Sequence, residues 1–287
     1  MKIGIVGYGS IGQRHANNLR GLGHDVSKVY DPAVERAVAF ERLVYESDVE
    51  AVVIATPSPY HEGPLRACIE HGKHVLIEKP ISTSVGMLPQ LLDEADKKNL
   101  VVMMGNNLRF HPAVQRAKIN IDSGAFGKPI WAQFTCAQKN VKYRDSVVLN
   151  WGAHEVDLAI HFFGPVSKVL CANIDDSDLT ERIADFVVLH DSGVRSSFHL
   201  DYITEVEIRE AWIACEHHNI GIDFLGRRIS MGKFVEGLGG SYDEDYIEEV
   251  KAFVDRIESK VTLGATGRQG LQTLKVLTDV RSEAGVL

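Results

Sequence analysis

The lysine of the segment Glu78-Lys79-Pro80 is one of two side chains in this sequence that are well placed to act on a bound substrate. It ends a predicted strand, and Pro80 disfavours helical geometry at the residue before it. The ammonium group would therefore project from the tip of an extended strand, where it could reach a ligand cleft and stabilise negative charge. The alternative is a solvated lysine beside Glu78, since most lysines lie at the surface.

The second candidate is a histidine in a set of polar residues with helical spacing: Asn150, His154, Asp157 and His161. A predicted helix over residues 150–163 would place all four on one face. His154 suits proton transfer, because the ordinary pKa of histidine, about 6.5, is close to neutral pH. Two alternatives remain open. The four residues could form the solvated stripe of an amphipathic helix, or His154, Asp157 and His161 could bind a metal, although no further Cys or His motif supports a metal site.

A glycine pattern near the N-terminus predicts a nucleotide-binding loop. The first apolar run leads into Gly7-Tyr8-Gly9-Ser10-Ile11-Gly12, and a helix is predicted to begin near Ser10. Gly7 suits a tight turn, Gly9 lets the backbone approach a pyrophosphate, and Gly12 lets the helix pack closely on the strand. The N–H groups and the positive dipole end of the helix would face the pyrophosphate.

Asp31 bears on which dinucleotide binds. It ends the second apolar run, 19 residues after Gly12, where a carboxylate can accept hydrogen bonds from the adenosine ribose. A carboxylate about 4 Å from a 2′-phosphate would cost roughly 4 kcal/mol per charge pair at an effective dielectric near 20. No arginine follows Asp31 directly, and the nearest, Arg36, is five residues on. The sequence therefore favours NAD as the cofactor and leaves NADP open.

Up to about Asn107, predicted strands alternate with predicted helices. The strands are continuous apolar runs, which are typical of parallel strands covered on both faces. Short connections between them predict a doubly wound α/β sheet of the Rossmann type with right-handed crossovers. Ligands of such sheets bind beyond the carboxyl ends of the strands, which here are Gly7, Asp31, Thr56-Pro57, Lys79 and Asn106.

After Asn107, strand patterns follow one another from about Ile130 to Leu225, which predicts an α+β domain with a large open, mostly antiparallel sheet. Two further helices are predicted at 243–257 and 267–282. The predicted domains are residues 1–107 for dinucleotide binding, 108–265 for substrate and oligomerisation, and 266–287 as a C-terminal helix that could pack back on the first domain.

The composition suits a globular protein that acts on small molecules. The chain has 287 residues, of which 45% are hydrophobic and 24% charged. Its formal net charge is -8 and it has no long basic run, so we expect no nucleic-acid or membrane partner. Four scattered cysteines without metal-type spacing indicate a reducing, cytoplasmic location and no metal site. No export signal or membrane-spanning segment is predicted.

These motifs together resemble the glucose-fructose oxidoreductase and inositol dehydrogenase family (Gfo/Idh/MocA), over almost the whole chain. The resemblance lies in the glycine loop, Ala55-Thr56-Pro57-Ser58-Pro59-Tyr60-His61, Glu78-Lys79-Pro80, Arg109 with Pro112, Gly127 and His154-Glu155-Val156-Asp157. It implies an NAD(P)-dependent enzyme that transfers a hydride between nicotinamide and a hydroxyl-bearing carbon of a sugar, cyclitol or sugar nucleotide.

The resemblance also implies roles for individual residues. Lys79 would lie beside the nicotinamide and hydrogen-bond the reacting hydroxyl, and His154 would exchange the proton of that hydroxyl. The expected cofactor contacts are Gly7, Gly9, Ser10, Ile11, Gly12, Asp31, Thr56, Pro57, His61, Glu78 and Lys79. The expected substrate contacts are Asn106, Arg109, Tyr143, Arg144, Asn150 and Asp157.

The charged segment around Tyr143 bears on the substrate. Lys139, Lys142 and Arg144 lie within six residues, which favours an anionic substrate such as a sugar acid or a sugar nucleotide. The alternative is a solvated surface loop, since charged loops are common.

One position departs from the family pattern. Many dehydrogenases of the family carry an aspartate four residues before the histidine, whereas this chain has Asn150. A carboxylate would raise the pKa of a nearby histidine, while an amide can only orient the ring. The departure leaves open a catalytically inactive NAD-binding sensor, and a reductase of a non-sugar substrate on the same fold is a further alternative.

The second domain bears on assembly. Its open sheet is expected to expose one face, and burying that face against another subunit would make a homodimer or a homotetramer.

Overall fold

The computed structural model describes residues 1–33, 39–45, 48–139, 146–175, 181–260 and 263–286. The chain divides into two compact units. The first unit comprises Met1–Phe110 and Tyr242–Leu271, and the second comprises His111–Ser241 and Gln272–Leu287.

The strands alternate with helices early in the chain and follow one another in its middle. The strands are β1 (Ile3–Val6), β2 (Val29–Tyr30), β3 (Ala51–Ile54), β4 (His74–Ile77), β5 (Val102–Met104), β6 (Pro129–Ala137), β7 (Val166–Asp175), β8 (Ile183–His190), β9 (Arg195–Asp201), β10 (Ile208–Cys215), β11 (Asn219–Asp223), β12 (Arg228–Met231), β13 (Phe234–Gly237) and β14 (Ala265–Thr266).

The helices are α1 (Ser10–Gly21), α2 (Phe40–Val44), α3 (Glu62–Glu70), α4 (Leu88–Lys97), α5 (Pro112–Asp122), α6 (Val147–Asn150), α7 (Gly152–Phe163), α8 (Tyr242–Ile257) and α9 (Gly267–Glu283). Two 3-10 helices, Ser58–Tyr60 and Asn107–Phe110, follow β3 and β5. Within the described ranges, none of the helices is both long enough and apolar enough to cross a membrane.

The first unit is built on a six-stranded sheet with the strand order β14-β5-β4-β3-β1-β2. All of its neighbouring strands run parallel except β14, which pairs antiparallel with β5. Every residue of β1 and β3 is buried, which is why both strands read as continuous apolar runs in the sequence. The predicted parallel α/β sheet is confirmed.

Helix α8 belongs to the core of the first unit. Its residues Val250 and Phe253 are fully buried in one cluster with Ile3, Ile5 and Leu19. The sequence-based limits put residues 242–257 in the substrate domain, because an amphipathic pattern shows which face of a helix is apolar but not which core receives it.

The second unit is built on an eight-stranded sheet with the order β13-β12-β11-β10-β6-β9-β8-β7. Its pairs are antiparallel except β6 with β9, so the prediction of a mostly antiparallel sheet is confirmed. Phe134, Phe198 and Phe186 stack across three neighbouring strands with ring centroids 5.2 and 4.5 Å apart. Such cross-strand aromatic pairs fix the strand register around the inner face.

The structure differs from the sequence-based prediction at the helix that carries His154. One helix over residues 150–163 was expected, but the chain forms α6 and α7, which are separated at Trp151. The hydroxyl of Ser146 accepts a hydrogen bond from the backbone N–H of Leu149 (3.1 Å) and so caps α6 as a separate helix. Asn150 therefore ends one helix, while His154 lies in the first turn of the next.

Helix α5 and the strands β12 and β13 were not predicted. Helix α5 begins with a proline, and the side chain of His111 caps its N-terminus by accepting from the backbone N–H of Ala113 (3.2 Å). The buried face of α5 consists of the small residues Ala113, Val114 and Ala117, so its apolar periodicity is weak.

Candidate active site

The turn after β1 leaves no space for side chains at two of its glycines. Gly7 has φ +90, and a Cβ there would lie 2.6 Å from the backbone of Ala55 and Thr56. A Cβ at Gly12 would lie 1.9 Å from the carbonyl oxygen of Gly7. The roles that the sequence predicted for Gly7 in the turn and for Gly12 in close packing are confirmed.

The third glycine faces open space. No atom of the described residues lies within 4 Å of a Cβ built on Gly9. Gly9 is the N-cap of the twelve-residue helix α1, and no described side chain caps that helix end. The first N–H groups of α1 are therefore available to a ligand, and the helix dipole favours an anion there. This geometry fits the pyrophosphate of a dinucleotide, held by Gly9, Ser10 and Ile11.

Asp31 connects the end of β2 to the glycine loop. Its Oδ2 accepts a hydrogen bond from the backbone N–H of Tyr8 (2.6 Å), and its Oδ1 accepts from the N–H of Ala33 (2.8 Å). Each carboxylate oxygen can accept a second hydrogen bond. Asp31 can therefore hold the loop and still bind ribose hydroxyls.

A cleft of about 760 Å³ lies at the same edge of the sheet, within the first unit. Its wall contains four aromatic side chains and two residues from the expected cofactor contacts: Tyr30, Phe40, Tyr45, Tyr60, Thr56 and Pro57. The volume is in the range of small-molecule sites, and flat aromatic surfaces suit an adenine ring. The cleft was not predicted, because only folding brings residues from four separate segments together.

His61 is fully buried between two strand ends. Its Nε2 lies 2.8 Å from the carbonyl oxygen of Thr56, and its Nδ1 lies 2.9 Å from that of Pro80. Burial lowers the pKa of His61 against the opposing effect of these carbonyls. The ring thus holds together the segments that follow β3 and β4. Contact of His61 with the cofactor stays a prediction.

Lys79 follows β4 by two residues, is half-buried, and is joined to Pro80 by a cis peptide bond. The preceding residue, Glu78, accepts a hydrogen bond from the ring of His15 (Nε2 to Oε1, 2.7 Å). The other oxygen of Glu78 accepts from the backbone N–H of Lys79 (3.3 Å). The Glu78 carboxylate is therefore held in place beside Lys79.

Asn106 and Arg109, two of the expected substrate contacts, follow β5 and are almost completely buried. The guanidinium of Arg109 donates a hydrogen bond from Nη1 to Oε1 of Gln269 (3.1 Å), at the start of α9. Arg109 therefore ties two segments of the first unit together, a partnership across 160 residues that no motif indicated.

In the second unit, the polar residues of α7 do not form a solvated stripe. Asp157 is fully buried, and His154 and His161 are half-buried. The amphipathic-helix alternative is therefore wrong. Asn150, at the end of α6, donates a hydrogen bond from Nδ2 to the hydroxyl of Tyr202 (2.7 Å). No sequence motif indicated Tyr202, whose ring also packs edge-on against that of Trp151, with the ring centroids 4.5 Å apart.

Helix α7 is anchored next to His154 by a buried ion pair. Glu155 is fully buried and accepts two hydrogen bonds from Arg209 of β10, from Nε at 3.0 Å and from Nη2 at 2.8 Å. Burial raises the pKa of Glu155, although the charge and hydrogen bonds of Arg209 oppose that shift. No sequence motif indicated Arg209, because the two residues are 54 positions apart.

The structure also bears on the metal and anion predictions. Among the described residues, one group of potential metal ligands has its atoms within 4.8 Å of one another, namely His15, Glu78 and Glu249. The alternative metal site at His154, Asp157 and His161 is therefore not supported.

Only the first part of the charged segment around Tyr143 lies within the described residues. Lys139 forms an exposed ion pair with Glu205 (2.9 Å). Lys142, Tyr143 and Arg144 lie outside the described residues, so their expected contacts with substrate stay predictions.

Comparison with known proteins places this geometry among oxidoreductases. Residues 1–106 match the Gfo/Idh/MocA family model, described as an oxidoreductase family with an NAD-binding Rossmann fold. Inositol 2-dehydrogenase 1 of Mycolicibacterium vanbaalenii is 30% identical over an alignment of 308 residues that covers 91% of this chain and 86% of the relative. Several other inositol 2-dehydrogenases match over only about half of their own length.

Two solved structures share the fold of the whole chain. UDP-N-acetylglucosamine 3-dehydrogenase from Acidithiobacillus ferrooxidans superposes with a TM-score of 0.89 at 22% identity, covering 100% of this chain and 98% of that one. The WlbA dehydrogenase of Bordetella pertussis, in complex with NADH and UDP-GlcNAcA, gives 0.84 at 19% identity, covering 99% and 96%. At these identities the likeness is evidence for the fold alone.

Proposed function

The chain belongs to the Gfo/Idh/MocA family of NAD-binding oxidoreductases, and from this premise we propose that it oxidises or reduces a ring hydroxyl carbon of a sugar, cyclitol or sugar nucleotide. NAD is the cofactor, and when bound it supplies the hydride acceptor or donor. The open space at Gly9, the uncapped start of α1 and the carboxylate of Asp31 fit this group.

The observation that carries the proposal is the position of Lys79. It follows β4 at the edge of the parallel sheet where β1 ends in the glycine loop and β2 ends at Asp31. Ligands of open parallel sheets bind at this edge. We assign to Lys79 a hydrogen bond to the reacting hydroxyl and the stabilisation of negative charge on its oxygen.

His154 is assigned the proton transfer. It would accept the hydroxyl proton during oxidation and return it during reduction. Its neighbour in sequence, Glu155, is held by Arg209, so the backbone that carries His154 is anchored. Because residue 150 is an asparagine bonded to Tyr202, Asn150 supplies no negative charge to favour the imidazolium form.

The proposed substrate class is supported by a relative in sequence and by two structural neighbours. A relative that is 30% identical over 91% of this chain is named for inositol, and the two structural neighbours are named for, or bound to, UDP-linked sugars. These ligands share ring carbons that bear hydroxyls. Lys139 is already paired with Glu205, which weakens the case for an anionic substrate, so a neutral cyclitol and a sugar nucleotide both belong in the test.

We further propose a homodimer or homotetramer that covers the outer face of the eight-stranded sheet. Trp131 of β6 and Trp212 of β10 point to this face and are 38% and 45% exposed. Large exposed aromatic side chains on one face are typical of subunit interfaces. Sedimentation as a monomer at micromolar concentration would contradict this assembly.

The test begins with the nucleotide. The purified protein is denatured, any released nucleotide is identified by mass, and the apoprotein is titrated with NAD and NADP. A panel of cyclitols, sugars, sugar acids and sugar nucleotides is then screened for absorbance change at the nicotinamide band. We expect turnover of a panel member that Lys79→Ala and His154→Ala each lower by about 100- to 10,000-fold. Tight NAD binding without turnover across the panel would contradict the proposal.

A further inference from the structure

Three titratable side chains meet directly beside Lys79: the buried His15 of α1 and Glu249 of α8, and the partly buried Glu78 after β4. One potential ligand atom from each lies within 4.8 Å of the others. His15 and Glu249 have no exposed surface. Neither carboxylate oxygen of Glu249 receives a hydrogen bond of normal geometry from the described residues, although the backbone N–H of Asn106 lies close enough to act on the group.

The two carboxyl groups of this trio have unequal surroundings. Glu78 accepts hydrogen bonds from the ring of His15 and from the backbone N–H of Lys79, and it feels the charge of Lys79. Within the described residues, no cation forms an ion pair with Glu249, and the neighbouring charge with the largest effect on it is that of Glu78. An ionised carboxylate buried without a cation is strongly unfavourable, and two adjacent carboxylates do not readily ionise together.

The expected pKa values follow from these surroundings. Burial and the charge of Glu78 raise the pKa of Glu249 well above its ordinary value, against the opposing backbone N–H of Asn106. Burial also acts to raise the pKa of Glu78, but the hydrogen bond and charge of His15 and the charge of Lys79 outweigh it, so that pKa falls.

The elements packed around the trio bring further titratable and charged groups. They are Arg14, His61, Lys79, Arg109, Asp245 and Tyr246. Of these, Arg14 lies over the ring of Tyr246 at 4.8 Å and forms an ion pair with the exposed Asp243. The charge of Arg14 is therefore neutralised by Asp243 and not by Glu249. Asp245 adds negative charge and so also opposes ionisation of Glu249.

We propose that Glu249 is held as a neutral carboxylic acid beside the Glu78 carboxylate, so that the two groups together carry one negative charge next to Lys79. Glu249 is then a positioning residue, which acts through Glu78 to keep Lys79 in its ammonium form and in place. The inference rests on the role proposed above for Lys79.

A divalent cation bound by the same three residues would neutralise the carboxylates in another way. However, a metal-bound histidine normally donates its second ring N–H to an acceptor, and Nδ1 of His15 has no partner among the described residues. We therefore assign the neutralising charge to a proton, and metal binding becomes an outcome of the test.

The direct test measures Lys79 itself. Purified protein freed of nucleotide is labelled competitively with acetic anhydride across a range of pH, and acetylation of Lys79 is followed by peptide mass spectrometry. Glu78→Gln removes the charge, so the midpoint for Lys79 labelling should move to lower pH by about one unit or more. Glu249→Gln keeps a neutral group of the same shape, so the midpoint should stay within about 0.3 units of the wild type. A shift in Glu249→Gln as large as in Glu78→Gln would overturn the proposal.

The second test measures stability against pH. Above pH 4.5, Glu249 is protonated in the folded chain and ionised in the unfolded chain. Folding therefore takes up a proton, and the free energy of unfolding of the wild type falls as pH rises. We expect Glu249→Gln to gain stability over the wild type between pH 5 and pH 8. The matched control is Glu248→Gln, an exposed neighbour on α8, which should show no such trend. If the stability of Glu249→Gln relative to the wild type falls as pH rises, Glu249 is not neutral in the folded chain.

Metal analysis completes the design. If the purified protein contains one equivalent of a divalent metal that Glu249→Gln lacks, the three residues bind a metal and the proposal of a protonated Glu249 is wrong. None of these measurements needs turnover. If Lys79→Ala leaves dehydrogenase activity unchanged, the proposed function of Lys79 fails, while the labelling and stability data still decide where the charge lies.

Discussion

The side-chain amide of Asn150 donates a 2.7 Å hydrogen bond to the hydroxyl of Tyr202, across two elements of the second unit. Residue 150 is four positions before His154, where the family resemblance leads us to expect an aspartate. The hydrogen bond to Tyr202 instead holds a neutral amide at this position. The arrangement orients without adding charge, and it leads to the first prediction.

Asn150→Asp should move the pH profile of kcat/KM upward. A carboxylate near His154 favours the imidazolium form, so the histidine would lose its proton only at higher pH. The limb of the profile that reports the base should shift by roughly one unit. Tyr202→Phe is the control, because it removes the hydrogen bond without adding a charge and should leave the limb in place. An unchanged limb in Asn150→Asp would remove this account of Asn150.

Gly12→Ala should abolish tight NAD binding, whereas Gly21→Ala on the same helix should not. A Cβ at residue 12 would lie 1.9 Å from the carbonyl oxygen of Gly7, so the turn must shift. No described atom lies within 4 Å of a Cβ at residue 21, where alanine should stabilise by up to about 1 kcal/mol. Fluorescence titration should show at least a tenfold rise in the Kd for NAD in the first variant alone. Equal affinities in both variants would contradict the packing role of Gly12.

Asp31→Asn should reduce discrimination against NADP. The amide oxygen can still accept from the N–H of Tyr8, but the negative charge near a 2′-phosphate is gone. Since that charge pair costs roughly 4 kcal/mol at an effective dielectric near 20, the ratio of the two Kd values should change by tenfold or more. Titration of both nucleotides against both proteins measures it. A constant ratio would show that Asp31 does not select the cofactor.

Arg209→Met should destabilise the chain by about 3–5 kcal/mol, because it leaves Glu155 buried without a partner. Loss of the guanidinium would raise the pKa of Glu155 further above its ordinary value. The deficit should therefore grow as pH rises above about 4.5, where the unfolded chain ionises Glu155 and the folded chain resists it.

Urea denaturation at pH 5 and pH 8 measures the effect of Arg209→Met. The double variant with Glu155→Gln should recover part of the loss and remove its pH dependence. A deficit that is the same at both pH values in the single variant would argue against an uncompensated Glu155.

Much of the candidate site was readable from the sequence because its determinants are local. Backbone geometry within one turn requires glycine at residues 7 and 12. The continuous apolar runs of the buried strands β1 and β3 are typical of a parallel sheet. Ligand-facing positions then follow from where such strands end, which is how Asp31 and Lys79 could be named. These features depend on neighbours a few residues away, so the order of residue types is sufficient to define them.

The tertiary structure alone decided which buried polar groups meet. Arg209 reaches Glu155 over 54 positions, Tyr202 reaches Asn150 over 52, and Glu249 joins Glu78 from a helix near the other end of the chain. No periodicity encodes such pairs, because a repeat in the sequence fixes the face of an element and not the partner that the face will meet. Burial makes a polar or charged group costly unless it has a partner, so the long-range contacts of the fold determine which of the titratable groups are ionised.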